Sequence, residues 1–128
     1  MRKRVFISFD YDNDNDIKEA LVAQSKLYNS PFEITDLSIK EAIDSNWKIY
    51  ARKRIRSCDC MIVLCGHYTD KAKGVSAELS IAQEEGIPYF LLEGRRSGTI
   101  KKPLGAKYSD KVYNWTWSNL DLLLKGYR

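Results

Sequence analysis

The chain has 128 residues, of which 44 % are hydrophobic and 30 % are charged, and its formal net charge is +4. This size and composition predict one globular domain over 1–128 with a core of its own. No apolar stretch reaches the length of a membrane span, and only a strand-length apolar run follows the basic start, so we expect no signal peptide. Three cysteines, an odd number, favour a reducing compartment, and we expect a cytoplasmic protein.

The first half of the chain alternates strand and helix patterns. Residues 4–9 predict an apolar first strand, and an acidic loop over 10–16 is rich in residues that favour turns and helix caps. An amphipathic helix follows, which Asp14, Asn15 or Asp16 could cap. A short second strand is predicted over 32–35.

The segment before Trp47 has a less regular pattern. Residues 38–41 fit a capping box that could open a short helix, and a further helix begins near Ser45 or Asn46. We expect an active-site-side loop with at most one short helical turn, followed by the helix that carries Trp47.

The second half repeats the alternation. A buried third strand spans 60–65, a polar loop spans 66–73, and a helical pattern then runs to Gly86. A fourth strand over 88–92 leads into a basic loop over 93–105.

The last elements are a strand and a helix. Residues 111–117 alternate, which predicts a half-buried fifth strand with Tyr113, Trp115 and Trp117 on one side. Residues 118–121 would cap a final helix.

The repeated strand–helix order predicts an α/β fold, a single doubly wound, flavodoxin-like domain. About five mostly parallel strands would carry helices on both faces. This architecture alone does not identify a function.

Glu78 is the acid that this fold would place near a ligand-binding edge. It lies within about the first turn of the helix that follows the third strand, and ligands of α/β sheets bind at the carboxyl ends of the strands. The helix dipole would modestly favour its ionised form. Position alone nevertheless favours a surface acid, since acids are common in first helical turns.

Several other site types fit the residues poorly. A phosphorelay receiver would need an aspartate at the end of the third strand, and nucleotide-binding motifs would need glycines after the first strand. Metal binding by Cys58, Cys60, Cys65 and His67 would require an unusual spacing, and small buried thiols explain the cysteines better. No orienting acid accompanies His67 as a base for a cysteine nucleophile.

The basic residues form short clusters at 2–4, 48–56, 95–96 and 101–102. Such clusters can attract phosphates, but no nucleic-acid-binding motif accompanies them, so we expect neither nucleic acid nor a membrane as a partner. Arg95 and Arg96 could meet a pyrophosphate, although a solvated loop is the commoner role.

Ordered motifs along the chain resemble Toll/interleukin-1 receptor (TIR) domains. The strand 6–9 with its acidic loop resembles the start of such a domain, and 62–69 with 75–78 resembles the third strand and the glutamate-bearing helix. Residues 51–59 and 113–120 are more similar to the small bacterial and archaeal TIR-like family that includes the Thoeris anti-phage protein ThsB. The resemblance covers nearly the whole chain.

The resemblance implies NAD chemistry in anti-phage signalling. Catalytic TIR domains cleave the nicotinamide–ribose bond of NAD with a glutamate that matches Glu78, and NAD is a substrate there, with no further cofactor. Phe9, Asp10 and Tyr11 match positions that contact the nucleotide, and Trp47 is a possible wall of the cleft. An ADP-ribose-derived signal, in such systems a cyclic ADP-ribose isomer or a related conjugate, would reach a separate effector protein, and the domain could assemble into a homo-oligomer or filament.

Single-acid chemistry is physically reasonable for this substrate. Glycosidases need two carboxylates, because the leaving oxygen must be protonated. Nicotinamide leaves NAD as a neutral molecule, so one carboxylate that stabilises the developing oxocarbenium charge suffices.

Gly74 stands where many TIR enzymes carry a tryptophan, four residues before the glutamate, and this departure favours the first of two alternatives. The first is a non-catalytic TIR-like signalling or assembly module. The second is another N-glycosidic enzyme on the same architecture, similar to deoxyribosyltransferases, which would prefer free nucleosides to NAD.

Overall fold

A five-stranded parallel sheet forms the centre of the computed structural model, which describes residues 2–38 and 46–126. The strands are β1 (Lys3–Ser8), β2 (Phe32–Leu37), β3 (Cys60–Cys65), β4 (Tyr89–Glu93) and β5 (Val112–Tyr113), in the order β2-β1-β3-β4-β5. The helices are α1 (Asn15–Ser25), α2 (Trp47–Arg56), α3 (Lys73–Glu85) and α4 (Trp117–Leu124). The predicted doubly wound α/β fold is confirmed.

Strand β3 is buried on both faces, and its alternating side chains feed two cores. Ile62 and Leu64 belong to the core that α1 and α4 cover, whereas Met61 and Val63 belong to the core that α2 and α3 cover. The period-two alternation of a strand requires this division. It places Cys60 and Cys65 in different cores, as the alternation predicts, and all three cysteines are buried.

The predicted fifth strand is wrong beyond Tyr113. The chain leaves the sheet there, and Trp115 turns to donate its indole N–H to Gln24 Oε1 at 2.8 Å. Trp117 is the first residue of α4, so the three aromatic residues do not share a strand face. The cap is Thr116, whose Oγ1 accepts from the Asn119 N–H at 3.1 Å, and not the predicted segment 118–121.

Strand β2 runs two residues further than predicted, to Leu37, and ends beside Ser38. The predicted helical turn before Trp47 lies mostly in 39–45, outside the described residues. In the part of the chain that the structure describes, no helix combines the length and apolar character needed to cross a bilayer.

Arg95 joins the loop after β4 to the loop after β1. Its guanidinium donates to Asp14 Oδ1 at 3.1 Å, to both carboxylate oxygens of Asp16 at 2.6 and 2.7 Å, and to the Asn13 carbonyl oxygen at 2.8 Å. The side chain therefore has an intramolecular role, which the sequence did not indicate. Asp14 is the N-cap of α1 but makes no capping bond with its side chain.

The Asp14 carboxylate is 2 % exposed, and Arg95 is the cation that compensates for its burial. Burial raises the pKa of Asp14, and the Arg95 hydrogen bond opposes that rise. Gly66 makes the arrangement possible, because a Cβ atom there would lie 2.4 Å from Asp14 Oδ2.

We predict that Arg95→Ala lowers the free energy of unfolding by roughly 2 kcal/mol, because it leaves a buried carboxylate without its charged partner. Urea denaturation measures the change. Arg96→Ala, which removes an exposed neighbouring guanidinium, is the matched control and should stay within about 0.5 kcal/mol of wild type. Equal effects of the two substitutions would show that the Asp14 contact contributes no stability.

Candidate active site

Side chains at the ends of two strands meet a side chain of α3. Ser8 is the last residue of β1, Ser38 follows β2, and Glu78 lies on α3, the helix that follows β3. With the order β2-β1-β3, the chain reverses its winding between β1 and β3. Ligands of open α/β sheets bind outside the carboxyl ends of the strands at such a switch point.

The Glu78 carboxylate is held by one of its two oxygens. Oε1 accepts the Ser8 hydroxyl at 2.7 Å and the Ser38 hydroxyl at 2.5 Å. Ser38 Oγ also accepts the Phe9 N–H at 3.1 Å. This bond connects the carboxylate to the backbone of the β1 loop, residues 9–14 between β1 and α1. Oε2 is buried and has no hydrogen-bond partner among residues 2–38 and 46–126. One oxygen is therefore fixed by two hydroxyl groups, and the other has no donor among the described residues.

Burial dominates the electrostatics of Glu78. Only 1 % of the residue is exposed, and this desolvation raises the pKa of Glu78 to about 7, although Ser38, Ser8 and then Arg54 oppose the rise. The prediction from position alone, that Glu78 is a surface acid, is therefore wrong. Helix α3 begins at Lys73, so Glu78 is in its second turn, where the helix dipole has weakened.

A cavity of about 480 Å³ lies in front of Glu78. It is bounded by residues 9–13 of the β1 loop, by Ser38, by Tyr68, and by residues 71–75 at the start of α3. Its volume is in the range of small-molecule sites.

The structure brings three of the predicted substrate-binding residues to this cavity. Phe9, Asp10 and Tyr11 line it together with Glu78. Phe9 is 2 % exposed and stacks on the ring of Tyr11, with ring centroids 6.1 Å apart, whereas Tyr11 is 45 % exposed. The Asp10 carboxylate accepts the Asp12 N–H and the side-chain amide of Asn13, which shapes the loop.

Trp47 does not line this cavity. It is 6 % exposed, packs in the core that α2 and α3 cover, and borders a neighbouring groove between those helices. The interpretation of Trp47 as a cleft wall rests on its position beside the loop that precedes α2, and this cavity does not support it.

Sequence reasoning missed several residues of this site. Ser8 and Ser38 bind Glu78, while Tyr68, Lys71 and Lys73 line the cavity. Ser8 left one signal, since it is a small polar residue at the end of an otherwise apolar strand. Ser38 left none, because its sequence pattern is that of a helix cap.

The cysteines and the histidine lie apart from this chemistry. Burial raises the pKa of Cys65 to about 12, which disfavours a thiolate. The His67 ring Nε2 lies 2.6 Å from the Ser97 carbonyl oxygen. Within 2–38 and 46–126, no three or more side chains of His, Cys, Asp or Glu are grouped to hold a metal ion.

A protein-family model matches residues 6–95, which is more than half of the chain. Its description is "Thoeris protein ThsB, TIR-like domain". The matched segment contains Phe9, Ser38 and Glu78. No curated protein matches the chain.

We predict that Glu78→Gln stabilises the fold at high pH. The ordinary pKa of 4.5 rises to about 7 in the folded protein, so the folded state binds the extra proton between these values, and the wild-type free energy of unfolding falls as the pH rises through that window. Glutamine keeps a carbonyl oxygen for both serine hydroxyls and carries no charge. The gain should reach roughly 3 kcal/mol above pH 8.

Thermal unfolding at pH 5 and at pH 8.5 measures this difference. The variant should melt several degrees above wild type at pH 8.5 and close to it at pH 5. A difference that is independent of pH would show that Glu78 titrates alike in the folded and unfolded states.

Proposed function

The chain belongs to the family of Thoeris ThsB TIR-like domains, and we propose on this basis that it cleaves NAD in anti-phage defence signalling. The bond broken is the one between nicotinamide and ribose, and the product is an ADP-ribose-derived, cyclic signal molecule. The observation that carries the proposal is the buried Glu78 carboxylate at the cavity wall, which has one oxygen fixed by two serines and the other without a hydrogen-bond partner in the described part of the chain.

The proposed step needs one ionised carboxylate. The electron pair of the bond between ribose C1′ and nitrogen moves into the cationic nicotinamide ring, which leaves as a neutral molecule. The positive charge that develops on the ribose is stabilised by Glu78 in a low-dielectric site. Water completes hydrolysis to ADP-ribose, whereas attack by a nucleophilic atom of the adenosine half gives a cyclic product.

The β1 loop supports this chemistry in two ways. Tyr11 is half-exposed at the cavity and offers a ring face to an aromatic base. The Phe9 N–H bonds to Ser38, so the loop and the carboxylate are positioned together. Pre-organisation of this kind places the reacting groups before the bond breaks.

A non-catalytic assembly module is the second candidate, and Gly74 favours it. Glycine supplies no ring where many TIR enzymes have tryptophan, and a Cβ atom at this position would meet nothing within 4 Å. The cavity is therefore open on the side where the family has a wall.

We predict that Glu78→Gln reduces nicotinamide release from NAD on the order of 10²–10³-fold, as loss of a transition-state electrostatic contact does. Chromatography of the purified protein with NAD measures the release, with and without lysate from phage-infected cells as the trigger. Glu84→Gln, an exposed acid on the same helix, is the matched control and should keep wild-type release. Equal release by wild type and Glu78→Gln, or no release by wild type in either condition, would favour the assembly module.

The same carboxylate predicts a pH profile. The catalytic form is ionised, and the free-enzyme pKa of Glu78 is about 7, so kcat/KM should rise about tenfold between pH 6 and pH 8 and then level off. Initial rates at subsaturating NAD measure the profile. A profile that is flat over this range, or that falls, would contradict the assignment of Glu78 as the ionised catalytic group.

A further inference from the structure

We propose that the N-terminus of α3, together with Lys71 and Lys73, binds the diphosphate of the dinucleotide substrate. This inference rests on the proposed function and assigns residues that the family resemblance does not identify. It places the phosphates and the reacting ribose along a single helix.

The start of α3 presents free backbone donors to the cavity. The N-cap is Ala72, which has no side chain that can accept a hydrogen bond, and the first turn contains no acidic residue. The amides of Lys73, Gly74 and Val75 have no hydrogen-bond partner among residues 2–38 and 46–126. All three residues line the Glu78 cavity. Uncapped N–H groups at a helix N-terminus bind phosphate oxygens through direct donation and through the helix dipole.

Two lysines flank these amides. Lys71 and Lys73 both line the cavity and are exposed, and neither forms an ion pair with a residue that the structure describes. Ammonium groups beside free amides give a phosphate both charge and direction.

The cavity has walls of opposite charge. Asp10 and Asp12 belong to the β1 loop on one wall, and the lysines and the helix N-terminus form another. A cationic nicotinamide is compatible with the acidic wall, whereas a diphosphate is compatible only with the basic one. This distribution orients a dinucleotide that carries both charges.

A second, independent observation points to a ligand in the same space. Glu78 is 1 % exposed and lines the cavity, and its Oε2 atom has no hydrogen-bond partner in the described part of the chain. It lies five residues after Lys73, about 7.5 Å along the helix axis. One ribose ring and its methylene group bridge a separation of this order, so a sugar on Oε2 brings its phosphate to the first turn of α3.

Isothermal calorimetry with two ligands tests the assignment without turnover of NAD. ADP-ribose carries the diphosphate, and nicotinamide riboside has no phosphate. We expect Lys71→Ala and Lys73→Ala each to raise the dissociation constant for ADP-ribose about tenfold and to leave that for the riboside unchanged. Lys73→Arg should retain binding, and Lys26→Ala, at the exposed end of α1, is the matched control.

Three results would overturn the proposal. They are unchanged ADP-ribose binding in the double lysine variant, equal weakening of both ligands, and no ADP-ribose binding by the wild-type chain. Nicotinamide release is a separate measurement, so the two proposals can fail independently. If the chain binds ADP-ribose through the lysines but releases no nicotinamide, the phosphate site is supported and the enzymatic function is contradicted.

Discussion

The hydrogen bonds from two serine hydroxyls to one oxygen of Glu78 are the interaction on which the site depends. A carboxylate that is nine-tenths or more buried is strongly destabilised unless it is neutralised or hydrogen-bonded. Ser8 comes from the end of β1, Ser38 from the end of β2 and Glu78 from α3. These bonds therefore compensate in part for burial of the acid, and they join three elements at the carboxyl edge of the sheet. Because Ser38 also accepts the Phe9 N–H, the β1 loop is fixed by the same group.

The sheet order explains why these elements meet at all. Strand β1 lies between β2 and β3, so the residues that follow all three strands emerge side by side. The Arg95 contacts with Asp14 and Asp16 act on the other end of the β1 loop. The loop that carries Asp10 and Tyr11 is thus held at both ends, by a neutral hydrogen bond at Phe9 and by ion pairs at its junction with α1.

The sequence was sufficient to predict the fold class and most of the elements, because the periodicity of apolar residues reflects which side chains are buried. The apolar run 60–65 and the helix that ends at Gly86 were predicted close to their observed bounds. The fifth strand was not, because alternation continued past Tyr113 although the chain had left the sheet, where Thr116 caps α4 and Trp115 finds a partner on α1. Such side-chain contacts between distant elements leave no periodic signal in the sequence.

The site was less predictable for the same reason. Ser8 and Glu78 are 70 residues apart, and Ser38 and Glu78 are 40 apart, so no local pattern shows that their side chains meet. Phe9, Asp10 and Tyr11 could be named only through the family resemblance. The position of Trp47 beside the loop before α2 suggested a cleft wall, but the structure places this residue in the core beside a different groove.

The unpartnered Oε2 atom connects the stability of the fold to its proposed chemistry. A third donor on the carboxylate would oppose the raised pKa of Glu78, as the two serines do, and it would stabilise the folded protein at neutral pH. Under the proposed function it would also occupy the oxygen assigned to the ribose. The carboxylate would then interact more weakly with the positive charge that develops on the sugar. Strained or under-satisfied groups of this kind concentrate at functional sites, where stability is reduced in favour of activity. The two serines bind only Oε1, so the acid keeps a fixed position while Oε2 has no donor in the described part of the chain.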